Sequence, residues 1–169
     1  MNGWWSQAAR RLARLRQVRG DGDLWLFWRI FFFAAAVPAL LRLRLPTLEV
    51  LLEPKKTQQP GDRGTPRAEK IIDYVDAAVR VGHPLVRRSC LTRGLTAYHF
   101  LRQTGLDVSL AFGIGRIEGA LTGHCWLVKD GEPYLEARDP RSRFMTVYAF
   151  RQGTVPGNVS LPGVPWVEV

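Results

Sequence analysis

The sequence predicts an α+β domain: a helix bearing a cysteine packed on a small antiparallel sheet, with further helices ahead of it. Two segments with helical apolar spacing, 66–81 and 89–104, come first. A stretch of strict two-residue alternation at 107–115 follows, and then two short strand-like runs either side of Asp130-Gly131.

The chain has 169 residues, enough for one domain with a real core and too few for two ordinary ones. Hydrophobic residues make up 46% and charged residues 23%, values of a globular chain that exclude wholesale disorder. The organisation expected is a helical N-terminal region over 1–53, a linker over 54–65 and a compact domain over 66–169.

Charge is less evenly spread. The formal net charge is +9, and of the 24 basic residues only Lys55, Lys56, Lys70 and Lys129 are lysines. Residues 1–44 carry eight arginines against Asp21 and Asp23, a local balance of 8 − 2 = +6. An anionic partner is expected there. Nucleic acid is not favoured, because no zinc-finger, helix-turn-helix or aromatic-basic strand signature accompanies the charge. A membrane surface or an acidic peptide ranks above it.

Residues 4–19 place Trp5, Ala8, Leu12 and Leu15 along one stripe with Arg10, Arg11, Arg14 and Arg16 largely off it, the pattern of a basic amphipathic helix. A membrane- or partner-binding helix and a helix packed on its own domain both fit. The apolar run 24–41 is about as long as the shortest bilayer-crossing helix, but Arg29 and Pro38 interrupt it, which favours interfacial seating or packing over spanning. Arginines flank it on both sides and a charge lies inside it, so neither an orientation nor a secretion signal can be read.

The stretch 54–66 is rich in proline, glycine and polar residues and reads as a linker. Thr65 offers an N-cap and Pro66 a first helical residue for a helix whose buried stripe is Ile71, Ile72, Val75 and Val79, ending near Gly82 and Pro84. In the next helix Ser89 is the N-cap, Leu91, Leu95, Tyr98 and Leu101 the apolar face, and Gly105 the terminator. Val108, Leu110, Phe112 and Ile114 then alternate with Ser109, Ala111, Gly113 and Gly115, a strand with one packed face. Residues 123–129 and 133–137 form a hairpin, 143–150 a last strand, and the tail beyond Arg151 carries no signal. The glycosylation-type sequence at Asn158 has no weight without a secretion signal.

Two cysteines, Cys90 and Cys125, are too few for a disulfide framework and point to a reducing, cytoplasmic compartment. Cys90 falls at the first turn of a helix, where free N–H groups and the helix dipole stabilise a thiolate. A small apolar residue buried under the helix is the competing reading. His124 supplies an imidazole able to take the thiol proton and return it to a leaving amine, if it reaches Cys90; otherwise it is a hydrogen-bonded strand residue. Adjacent strand residues face opposite ways, so His124 and Cys125 do not share a zinc ion, and a Cys90–Cys125 disulfide is not expected. His83 and His99 show no ligand spacing.

Glu132, Glu136 and Asp139 are the acids near enough to orient His124. A three-residue loop 129–131 sets His124 opposite 128 + 132 − 124 = 136 and puts Glu136 on the histidine's face. A two-residue Asp130-Gly131 turn gives 129 + 132 − 124 = 137 and sends Glu136 to the other face. The three-residue loop is preferred here on the functional ground that it gives Glu136 a use.

These residues resemble a family. Cys90, Leu91, Arg93 and Leu95, then a strand, then His124, Trp126, Asp130 and Gly131 are similar to the transglutaminase-like cysteine peptidases of lasso-peptide biosynthesis, the leader peptidases. The resemblance covers about 65–140. It implies a papain-like, transglutaminase-like core that cleaves the leader from a ribosomally made precursor peptide, with Cys90 as nucleophile, His124 as general base and then acid, and Glu136 as the orienting carboxylate. The family more commonly has aspartate in that last role, with Asp139 the reserve. The Cys90 N–H is a natural oxyanion donor, with Arg88 or Ser89 as further contributors.

The resemblance further implies a separate leader-recognition protein and a cyclase as partners, and dependence on ATP, although no phosphate-loop motif is present and no cofactor or metal site is read from the residues. Two other outcomes fit the same chain. One is an acyl or amide transfer enzyme using the same site; the other is a non-catalytic peptide- or membrane-binding protein whose basic N-terminal quarter is the active surface.

Overall fold

Helices come first and strands after, as the sequence predicts, and the fold is α+β. The computed structural model describes residues 21–54, 64–151 and 153–154, and the chain divides into two compact units, 1–106 and 107–169. The predicted amphipathic helix at 4–19, most of the linker and the tail from 155 onward lie outside the described residues.

The first unit contains α1 (Asp21–Leu40), α2 (Leu45–Leu52), α3 (Gly64–Val81) and α4 (Cys90–Gln103). Apolar spacing explains their packing. In α1, Ile30, Ala34 and Val37 recur at i, i+4 and i+7 and are buried. Phe27 meets Tyr74 of α3 edge-on at 6.0 Å between ring centroids. Phe33 lies flat on His99 of α4 at 4.5 Å. Most of the segment 24–41 is thus a helix with one face in the fold, and Pro38 sits within its last turn, where only the bond to the Ala34 carbonyl is forgone before the helix ends at Leu40.

Helix α3 begins at Gly64, so Thr65 is inside the helix and not its cap. Ile71, Ile72 and Val75 are buried as expected. Arg93 of α4 donates to Asp76 of α3 at 2.8 Å, tying the two helices across their contact. Gly82 follows the helix at a point where a Cβ would stand 2.5 Å from the Ala78 carbonyl oxygen, so a side chain does not fit there.

Helix α2 has no counterpart among the elements expected from the sequence. Its signal is Pro46 in the first turn, with Leu48 and Leu52 on the buried side. Glu53, just past its end, accepts from the Tyr98 hydroxyl and from the Arg102 guanidinium, both buried on α4. Burial first, and the Glu53 carboxylate second, hold the Tyr98 hydroxyl well above the usual phenol range. Arginine is tolerated in that core because its charge is matched there.

The second unit is a five-stranded antiparallel sheet among the described residues, in the order β3-β2-β1-β4-β5. The strands are β1 (Ser109–Ile117), β2 (Ala120–Lys129), β3 (Glu132–Tyr134), β4 (Met145–Ala149) and β5 (Gly153–Thr154). The run at 143–150 is therefore the fourth strand and not the last, with β5 pairing beyond it. β1 also departs from expectation: Leu110 to Gly113 are all buried, so both of its faces are covered and not one. Small residues on the second face make the room. A Cβ on Gly113 would meet the Trp126 ring at 2.7 Å, and one on Gly115 the Arg143 carbonyl oxygen at 2.1 Å.

The hairpin decides a register. Lys129 pairs with Glu132, so the loop is the two-residue Asp130-Gly131 turn, and the three-residue loop is incorrect. Both turn residues have positive φ, 52° and 81°, the type I′ geometry whose twist matches that of paired strands.

Candidate active site

Cys90 is the first residue of α4, with Ser89 as its N-cap. The Ser89 Oγ accepts from the Thr92 backbone N–H at 3.1 Å and lies 3.0 Å from the Thr92 hydroxyl. This cap fixes where the helix starts, and hence which residue stands beside the free N–H groups of its first turn. The Cys90 side chain forms no disulfide and is partly exposed. Helix α4 ends where Gly105, at φ 84°, turns the chain away as predicted.

The neighbours proposed for oxyanion binding have other engagements. Ser89 holds the cap, and the Arg88 guanidinium donates to the Arg80 carbonyl.

His124 lies in the second unit, on β2, opposite Gly113 of β1. Strand parity sets His124, Trp126, Ala111 and Gly113 on one face and Cys125, Leu127, Leu110 and Phe112 on the other. Cys125 forms no disulfide and is buried on the face away from His124. No group of three metal-binding side chains occurs among the described residues.

Two aromatic rings hold the imidazole: Trp126, stacked at 6.0 Å, and Phe144, tilted at 5.0 Å. Sequence reading left both without a structural role. Trp126 could have been found by parity, being two residues along from His124. Phe144 comes from just before β4, and no local pattern brings it there. Gly113 belongs to the same arrangement, since the Trp126 ring occupies the space above its Cα.

Glu136 approaches His124, with Oε2 3.8 Å from Nε2. It does so although the two-residue turn assigns it to the opposite face. β3 ends at Tyr134, and Leu135 takes a positive φ of 60°, so strand alternation no longer governs the next residue. Asp139 is differently placed. It caps the 3-10 turn Pro140–Ser142 and binds Arg141 through its side chain, contacts that hold its carboxyl below the usual carboxylate range. Glu132 binds the same Arg141.

The first unit thus presents a thiol at a capped helix start, and the second an imidazole with a carboxylate beside it. The sequence profile of the transglutaminase-like superfamily matches residues 33–149, and the chain belongs to that superfamily. Its members are typically cysteine-dependent enzymes and include cysteine peptidases and acyltransferases. No curated protein and no solved structure matches the chain.

Proposed function

We propose that this protein is a cysteine peptidase that removes the leader from a ribosomally synthesised precursor peptide, in maturation of the lasso-peptide type. The observation that carries the reading is the His124–Glu136 pair in a transglutaminase-like chain that also carries Cys90 at a capped helix start. The narrower assignment rests on the spacing of Cys90, Leu91, Arg93, Leu95, His124, Trp126, Asp130 and Gly131.

In this reading His124 accepts the Cys90 proton and the thiolate attacks the scissile carbonyl. The imidazolium then protonates the departing amine, leaving an acyl thioester on Cys90. Water, deprotonated by the same imidazole, hydrolyses the thioester and restores the thiol. Glu136 orients the ring and stabilises its charged form. A precursor peptide is the substrate, a separate leader-binding protein and a cyclase are the partners, turnover depends on ATP, and the compartment is the cytoplasm.

Acyl transfer to an amine is the second reading, favoured by the acyltransferases within the superfamily. One experiment addresses both. The purified chain is incubated with a precursor peptide and its leader-binding protein, with and without ATP, and the products are weighed by mass spectrometry. Hydrolysed leader and core, absent with Cys90→Ala and with His124→Ala, support the peptidase. An amine adduct without hydrolysis reverses the assignment, and cleavage retained by Cys90→Ala removes it.

A further inference from the structure

Helix α1 has two unlike faces. One is committed to the fold through Ile30, Ala34 and Val37, the Phe33–His99 stack, and the ion pair between Asp23 and Lys70 of α3. On the other, Trp25 is 67% exposed, Phe32 65%, Leu24 54% and Trp28 43%. Trp25, Trp28 and Phe32 fall at i, i+3 and i+7, one stripe along the helix, and Trp28 stacks on Phe32 at 5.7 Å. Soluble surfaces seldom present large aromatic side chains side by side without a partner.

The charges around the stripe indicate the partner. The helix carries two acidic residues, Asp21 at its first position and Asp23, which is paired with Lys70. Arg42 and Arg44 are exposed just past its C-terminal end. Arg10, Arg11, Arg14, Arg16 and Arg19 precede it in the sequence. Aromatic residues between two groups of arginines suit a bilayer interface, where rings take the boundary between headgroups and acyl chains and guanidinium groups meet anionic phosphates.

The window Asp23–Leu40 is long and apolar enough to cross a membrane. Crossing would strip Phe33 of His99 and Asp23 of Lys70 and uncover the buried Ile30, whereas lying in the surface keeps all three in place. We infer that α1 seats this protein on an anionic membrane surface, in the plane of the headgroups, with Trp25, Trp28 and Phe32 inserted and the opposite face retained in the fold. The inference is independent of the peptidase reading.

The test uses the full chain with vesicles of phosphatidylcholine alone or mixed with phosphatidylglycerol, followed by co-sedimentation and by tryptophan quenching with brominated lipids. Binding to the anionic vesicles is expected, with quenching by shallow bromines and a loss of roughly tenfold in affinity between 0.1 and 0.5 M NaCl. Trp25→Ser with Phe32→Ser lowers binding by about tenfold or more while leaving the circular dichroism spectrum unchanged. Arg42→Glu with Arg44→Glu, which disturbs no apolar contact, lowers affinity for the anionic vesicles only.

Four results overturn the inference. They are no binding to anionic vesicles, binding that the aromatic variant leaves intact, retention in membranes after alkaline carbonate extraction, and a dimer that the aromatic variant dissociates without any vesicle binding.

Discussion

Glu136 reaches His124 from outside the strand ladder, 3.8 Å from its Nε2, because Leu135 adopts a positive φ immediately after the last paired residue, Tyr134. A regular continuation of β3 would have turned this carboxylate to the other face. A backbone irregularity therefore places the acid.

The first prediction separates the two acids. Under the peptidase reading, Glu136→Gln lowers kcat/KM by about a hundredfold or more, since a partly buried carboxylate that orients an imidazole governs its tautomer and charge. Asp139→Asn leaves kcat/KM within about threefold, because Asp139 binds Arg141 and surface pairs contribute little. Steady-state kinetics on a precursor peptide decide it, and equal losses in the two variants refute the assignment.

Gly113→Ala tests the ring platform. The added methyl meets the Trp126 ring at 2.7 Å and the Met145 carbonyl oxygen at 2.8 Å, so the indole shifts and His124 loses its stacked neighbour. The expected cost is about 1–3 kcal/mol of stability. Histidine side-chain NMR shifts at His124 should move as well. An unshifted His124 resonance in a folded variant counts against the platform.

Ser89→Ala removes the cap of α4. The Thr92 N–H loses its acceptor, and the expected loss is about 1 kcal/mol. Ser89→Asp keeps an acceptor at the same place and should recover most of it. Thermal denaturation of both variants, with Cys90 alkylation rates alongside, checks the effect on the helix start.

His99 makes the first unit acid-sensitive. Burial lowers its affinity for a proton from the ordinary value of 6.5; the hydrogen bond to the Leu52 carbonyl opposes this, and Arg29 reinforces it. Its Nδ1 is 3.0 Å from that carbonyl and its Nε2 is 2.8 Å from the Gln103 side chain. The folded state thus holds the neutral ring while the unfolded chain binds the proton near 6.5. Stability from this group is complete above that pH and falls as pH drops through the folded value. The melting temperature should decline between pH 7 and 5, and less steeply in His99→Asn. Parallel declines in both proteins would assign the sensitivity elsewhere.

Local pattern determined a good deal of this protein. Ser89 and Gly105 mark the ends of α4 because capping and left-handed turns are chemistry of single residues, and Cys90 falls at the helix start for the same reason. The period at 66–81, the alternation at 107–115 and the reversal at Asp130-Gly131 each gave an element of the right type. The parity of adjacent residues on β2 put Cys125 opposite His124.

The tertiary structure decided the rest, where the cause is not local. Asp130-Gly131 fits more than one loop, and the twist of the paired strands selected the two-residue turn. Leu135 gives no sign in sequence of the positive φ that carries Glu136 to His124. Phe144, twenty residues from His124, meets it only through the pairing of the sheet. Whether the run 24–41 would pack or remain bare was likewise open, and the partners offered by α3 and α4 buried one face of α1 and left the other exposed. Propensity and alternation act between neighbours in the chain, whereas register, ring contacts and the partner of a helix face are settled by residues distant in sequence.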